Sequence, residues 1–177
     1  AAAALAAQVE LFQQREFARL DQGAPQPVYI FKHNITQEVV YGTLLEQQQQ
    51  ELHLAVAHAL ERLRPNAVER LAHHYQQSDV SQPTVRGQAL HYLELAALRA
   101  RNDFANETAL RYFRAALALA ERSAWRVEEA RLLHILGERA AEAALLARLE
   151  AQPDAPQPAT AFLRADYCEA INDYAAS

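Results

Sequence analysis

Val28, Ile30 and Lys32 alternate with the aromatics Tyr29 and Phe31 in a short apolar run, and the apolar positions then switch to a helical spacing. The alternation sets Tyr29 and Phe31 on one face of a strand, where they pack, and leaves Val28, Ile30 and Lys32 on a partly exposed face. An earlier strand-favouring run, Leu11 to Phe17, is separated from it by ARLDQGAPQP, in which Gly23, Pro25 and Pro27 supply turn chemistry. The two runs predict a β-hairpin with a long loop, flanked by helices.

After the hairpin a long helix is expected to start near Asn34, whose side chain caps the first free N–H groups, with Gln37 three residues on as in a capping box. Its apolar stripe is Ile35, Val39, Leu45, Leu52, Val56, Leu60 and Leu63, widened by Tyr41 and Leu44. Pro65 ends it, and Gly42 is the place for a bend. A shorter helix covers Ala67 to Gln77, and Ser78, Asp79 and Pro83 make a turn. Helices Gln88–Arg101 and Asn106–Glu121 follow, joined through Asn102-Asp103. Ala97, Ala109 and Ala116 are the small positions at which these two approach, and Leu93 and Phe113 fill the gap. From Trp125 to Ala151 the spacing stays helical with Gly137 as its one weak point, so the sequence leaves one helix or two. Beyond AQPDAPQPA a last helix leads into a turn at Asn172-Asp173-Tyr174.

Only 4 glycines among 177 residues, with abundant Ala, Leu, Glu, Gln and Arg, make the class mostly α. A net charge of −5 without a basic run argues against a phosphate-binding surface, so no nucleic acid is expected. Cys168 stands alone, which excludes an intramolecular disulfide, and neither a leader nor a long apolar span is present. No membrane partner and a cytoplasmic setting follow as expectations. The lack of any Met, and an end at Ala175-Ala176-Ser177 within a helical pattern, predict an internal segment of a longer polypeptide.

The stretch GQALHYLELAALRARNDFANETALRYFRAALALAE resembles the tetratricopeptide repeat, a pair of helices with alternating small and bulky positions and a period of about 34 residues. Leu93 stands where that family often has Trp, Ala97 where it has Gly, Ala100 where it has an aromatic and Glu121 where it has Pro, so the repeat is a degenerate one. YIFKHNITQEVVYGTLL, ELHLAVAHALE and LAHHYQQSD together resemble the region after the nucleotide-binding domain in bacterial signalling ATPases of the STAND type, often fused to class III adenylate/guanylate cyclases. The resemblance covers roughly Gln8 to Glu121. It implies a partial winged-helix module with its hairpin (1–33), a tetratricopeptide-like α-α superhelix (34–151) and the start of a further repeat (152–177). Relatives tend to carry a run of Arg where this chain has Gln47-Gln48-Gln49-Gln50.

Candidate chemistry is sparse. The chain has no GxxxxGK[ST], so ATP is expected only in the parent protein and no cofactor in this segment. His53 and His58 are five residues apart on one helix, and the neighbours His73 and His74 point in different directions. A metal site is therefore not expected, and the His pair reads as packing beside Tyr75. Asp166 and Glu169 flank Cys168 and would raise its pKa, making it a small buried residue of the last helix rather than a nucleophile. Glu38, Glu46 and Glu51 read as a solvated helix face. Tyr75, Tyr92, Tyr112 and Trp125 lie at core spacing, while Tyr92 and Arg99, on the first helix of the repeat, are the candidates for an exposed partner-binding face.

The expected function is a non-catalytic regulatory and protein-interaction region of a larger bacterial signal-transduction ATPase. It would couple a nucleotide-binding domain to a repeat sensor, with a protein, a peptide or adjacent domains as partners. A DNA-binding winged-helix regulator whose repeats dimerise or bind an inducer is the alternative, and the charge speaks against it.

Overall fold

The computed structural model describes residues 2–22, 27–151 and 157–175. It is mostly α with one small hairpin. The order is α1 (Ala2–Gln14), β1 (Ala18–Gln22), β2 (Val28–Phe31), α2 (Asn34–Gly42), α3 (Glu46–Leu63), α4 (Val68–Gln76), α5 (Pro83–Asn102), α6 (Asn106–Leu119), α7 (Ser123–Leu136), α8 (Arg139–Glu150) and α9 (Gln157–Ala175). The chain divides into two compact units, 1–49 and 50–177.

In the first unit β1 and β2 are antiparallel, with Ala18 opposite Phe31, Arg19 opposite Ile30 and Leu20 opposite Tyr29, and a bulge between Leu20 and Gln22. Leu11 to Gln14 belong to α1 rather than to the first strand, which lies in residues the sequence assigned to the loop. The faces of β2 are reversed as well: Val28 and Ile30 are half-buried, while Tyr29 and Phe31 are exposed. Asn34 does not cap α2. His33 takes the N-cap position without a side-chain bond, and its carbonyl accepts from the Thr36 N–H.

The single long helix expected from Asn34 to Pro65 is two, broken at Thr43–Leu45. The glutamines explain how the break is held. Gln48 Oε1 accepts from the Leu45 N–H at 3.0 Å, the return half of a capping box. Gln49 Nε2 donates to the Tyr41 carbonyl at 3.0 Å and lies 3.3 Å from that of Leu44, satisfying acceptors freed at the end of α2. Once the helix breaks its stripe loses phase, and Ile35, Val39 and Leu45 are exposed whereas Ala57 and Leu60 are buried.

The second unit is a stack in which helices meet in chain order: α4 on α5, α5 on α6, α6 on α7, α7 on α8 and α8 on α9, with α7 also against α9. Ala57 and Leu60 of α3 share a small core with Leu71, Tyr75, Val85 and Ala89, and a larger core runs from Val68 to Leu163. Alanines let α5 and α6 approach: Ala97, Ala109 and Ala116 are fully buried, and Leu93 and Phe113 fill the space between. The five positions assigned to that contact are all in the core. The stretch Trp125–Ala151 is two helices, divided at Gly137. Asn172-Asp173-Tyr174 is not a turn, since α9 continues through it.

Three helices end on the same device. Glu138 N–H bonds to the Leu133 carbonyl and Gly137 N–H to that of His134, with Gly137 at φ 75°, which is the Schellman arrangement. Phe104 (φ 58°) does the same after α5, where Ala105 N–H reaches the Ala100 carbonyl. Glu16 (φ 59°) does it after α1, where Phe17 N–H reaches Phe12. Left-handed backbone costs a residue with a Cβ about 1–2 kcal/mol. Phe104 is 87% exposed, so its ring contributes little burial in return. Phe104→Gly is accordingly expected to raise stability by about 1 kcal/mol and Gly137→Ala to lower it by about as much. Urea denaturation of each variant checks the opposite signs.

Candidate functional site

The residues with chemistry gather where α3, α4 and α5 meet. His53, about two turns into α3, and the adjacent His73 and His74 of α4 bring their rings together, with centroids 5.6 Å (53 to 73), 5.1 Å (53 to 74) and 5.2 Å (73 to 74) apart. His53 Nδ1 and His74 Nδ1 are 2.9 Å apart, a hydrogen bond that requires one ring to carry the proton and the other a lone pair. Burial, reinforced by the neighbouring imidazoles and Arg70, holds His74 down at about 4. Burial and His73 lower His53 as well. Both are therefore neutral at pH 7. Adjacent histidines were expected to diverge, yet the rings of His73 and His74 lie 5.2 Å apart and each is within 5.6 Å of the His53 ring.

On the other side of α4, Tyr75 stacks on Tyr92 of α5, with centroids 5.5 Å apart and the planes 4° from parallel. The Tyr92 hydroxyl donates to Glu61 Oε1 at 3.0 Å. Burial and the adjacent Glu61 carboxylate raise both phenols above their usual range. The Tyr75 hydroxyl is buried and has no partner among the described residues. His58 meets the edge of Tyr75 at 6.2 Å, in the packing role expected of His73 or His74. A groove of about 330 Å³ opens beside the pair, lined by Leu54, His58, Glu61, Tyr75, Val85 and Gln88.

Of the two residues assigned to a partner-binding face, Tyr92 is half-buried in this stack, and Arg99 is exposed, donating to the Asn66 carbonyl at 3.0 Å with Glu69 3.9 Å away. Tyr75 and Trp125 are buried, as core spacing implied. Cys168 is exposed, contrary to expectation, because it falls outside the face of α9 that carries the buried Leu163.

Two buried carboxylates, Glu129 and Glu142, are absent from the candidates read from the sequence. Glu129 of α7 accepts from Arg114 of α6 at 2.8 Å and from Arg126 at 2.9 Å, while Arg126 also grips Glu121 with two bonds of 2.7 and 2.8 Å. Glu142 of α8, with no exposed surface, accepts from Arg139 at 2.8 Å and lies 2.8 Å from His134 Nδ1 of α7. A sequence signal existed: Arg126 and Glu129, and Arg139 and Glu142, share the Arg-x-x-Glu spacing that pairs residues on a helix. Trp125 Nε1 donates to Glu94 at 2.9 Å and Arg101 to Glu128 at 2.7 Å, tying α5 to α7. A second groove, about 610 Å³, lies over α6, α7 and α8, with Leu110 and Leu133 in its lining and Glu107, Arg111, Arg114 and Glu138 around them.

No described helix is long and apolar enough to cross a membrane. Comparison with family models, with curated proteins and with solved structures finds no match.

The phenol pair makes an opposed prediction. Tyr75→Phe removes a buried hydroxyl without a partner and should leave stability unchanged or raise it, whereas Tyr92→Phe leaves Glu61 without its donor and should lower it by about 1 kcal/mol. Thermal or urea melts of the two variants decide it. For the imidazoles, the unfolded chain takes up protons below its ordinary value of 6.5 that folded His74 refuses until about 4. Stability should thus be complete above pH 6.5 and fall as pH drops from 6.5 toward 4. Urea midpoints at pH 7 and pH 5 should differ less in His74→Gln than in the unaltered chain.

Proposed function

We propose that this chain is a non-catalytic interaction and regulatory region of a larger bacterial signal-transduction ATPase. Its hairpin unit faces a neighbouring domain of the same polypeptide, and its helical stack serves a protein or peptide. The observation that carries this reading is the apolar surface of the first unit. Phe12, Phe17, Phe31, Ile35, Val39 and Leu45 are all exposed, and Phe12, Phe17, Phe31 and Val40 line a groove of about 300 Å³. Isolated exposed apolar side chains are ordinary, but a concentration of this kind marks a surface that another body covers. The resemblance to the segment after a nucleotide-binding domain makes the adjacent domain of the same chain the occupant.

The stack supports the same reading from its own side. Helices that touch in chain order build an extended surface, as repeat proteins do, instead of closing around a central cleft. Buried carboxylates of the kind that serve as acids or bases, Glu129 and Glu142, are each committed to arginines across or along helix joints.

In the native polypeptide, backbone amides of residues 17–31 and 34–42 should exchange with solvent more slowly than in the 177-residue chain alone, as measured by hydrogen exchange with mass spectrometry. Equal rates would remove the coupling to a neighbouring domain. Specific, saturable ATP hydrolysis by the 177-residue chain would remove the non-catalytic reading.

A further inference from the structure

We propose that His53, His73 and His74 form a site for a divalent transition-metal ion of the zinc class, which clamps α3 to α4 and keeps one coordination position open to solvent. Their candidate ligand atoms, one from each ring, all lie within 4.8 Å of one another. Tetrahedral zinc with Zn–N bonds near 2.0–2.1 Å sets its nitrogens about 3.3 Å apart. The 2.9 Å contact between His53 and His74 and the 4.8 Å limit bracket that value, so modest ring rotations complete the site.

The donor set selects the ion. Three imidazoles without a carboxylate or thiolate suit zinc, copper or nickel and disfavour magnesium and calcium, which require oxygen. The hydrogen bond between His53 and His74 marks where two lone pairs already converge on one hydrogen. A cation takes that hydrogen's place, and the displaced proton moves to the far nitrogen of the same ring, leaving each imidazole neutral. His73 is exposed and His74 half-buried, so solvent reaches the remaining coordination position. Arg70 is the opposing charge near His74 and limits the affinity.

The geometry also gives the ion a structural role. His53 lies in α3, and His73 and His74 lie in α4, so the metal bridges two helices that otherwise meet through the small apolar core of Ala57, Leu60, Leu71 and Tyr75. A ligand bound only by the folded arrangement stabilises it in proportion to its concentration over its dissociation constant.

The test uses the full chain without a polyhistidine tag, stripped of metal with a chelator and then titrated with Co(II) and Zn(II). One equivalent of Co(II) should bind with the visible bands of a low-coordinate site, and Zn(II) should displace it and raise the melting temperature. His73→Gln, an exposed position where the fold is safe, and His53→Ala should each weaken binding by at least about tenfold. His58→Gln and His91→Gln, which alter histidines outside the cluster, should leave it unchanged. Binding below one equivalent, or undiminished in His73→Gln, would overturn the site. So would an equal loss in His58→Gln and His91→Gln, which would mean scattered surface histidines hold the metal.

Discussion

The close approach of α5 to its neighbours is the constraint on which the second unit rests. Its buried positions, Val85, Ala89, Leu93, Ala96, Ala97 and Ala100, are mostly alanine. That lets α4 on one side and α6 on the other come near enough for Tyr75, Leu71 and Phe113 to be fully enclosed. A larger residue at Ala97 would push α5 and α6 apart, because a filled interior has no slack for an added methylene. The polar links from α5 to α7, through Glu94 and Arg101, depend on the same spacing.

Charge completes what alanine begins. At the joints from α6 to α7 and from α7 to α8 a carboxylate is buried, and each is met by arginine within 3 Å. A buried ion pair is weak evidence for stability, but removing one partner is damaging because the other is left desolvated. Between successive helices the contacts are Arg114 with Glu129 and His134 with Glu142. In the link from α6 to α7, the Glu121 carboxylate is held by both arms of Arg126.

How far the sequence was legible follows from which signals are local. The α5–α6 pair was readable because small and large residues recur at helical spacing, and Leu93, Ala97, Ala109, Phe113 and Ala116 all fell into the core. The end of α1 and the start of the hairpin were not, because Glu16 adopts the left-handed turn without the glycine that would announce it. The break between α2 and α3 was marked only by Gly42, read as a bend, since glutamine side chains rather than a proline terminate one helix and begin the next. The histidine cluster lay further out of reach. His53 and His74 are 21 residues apart, a separation with no periodic meaning until α3 and α4 have packed. Tyr92 was read as a candidate for an exposed partner-binding face and not as a stacking partner, because its ring contact with Tyr75 crosses helices.

The order in which the helices touch has a mechanical consequence. From α4 onward each helix is held chiefly by the one before and the one after, so the stack behaves as links in series rather than as a closed body. A pull or a local loosening at one end is passed along one joint at a time. The joints differ in their polar contacts: aromatic stacking and alanine contact bind α4, α5 and α6, while Arg114 and Glu129 link α6 to α7 and His134 and Glu142 link α7 to α8. Glu129 and Glu142 are buried, so salt screens this second kind of link little. The two kinds of joint yield instead to different changes: an added methylene parts the first, and the loss of one charged partner strands the other in the second.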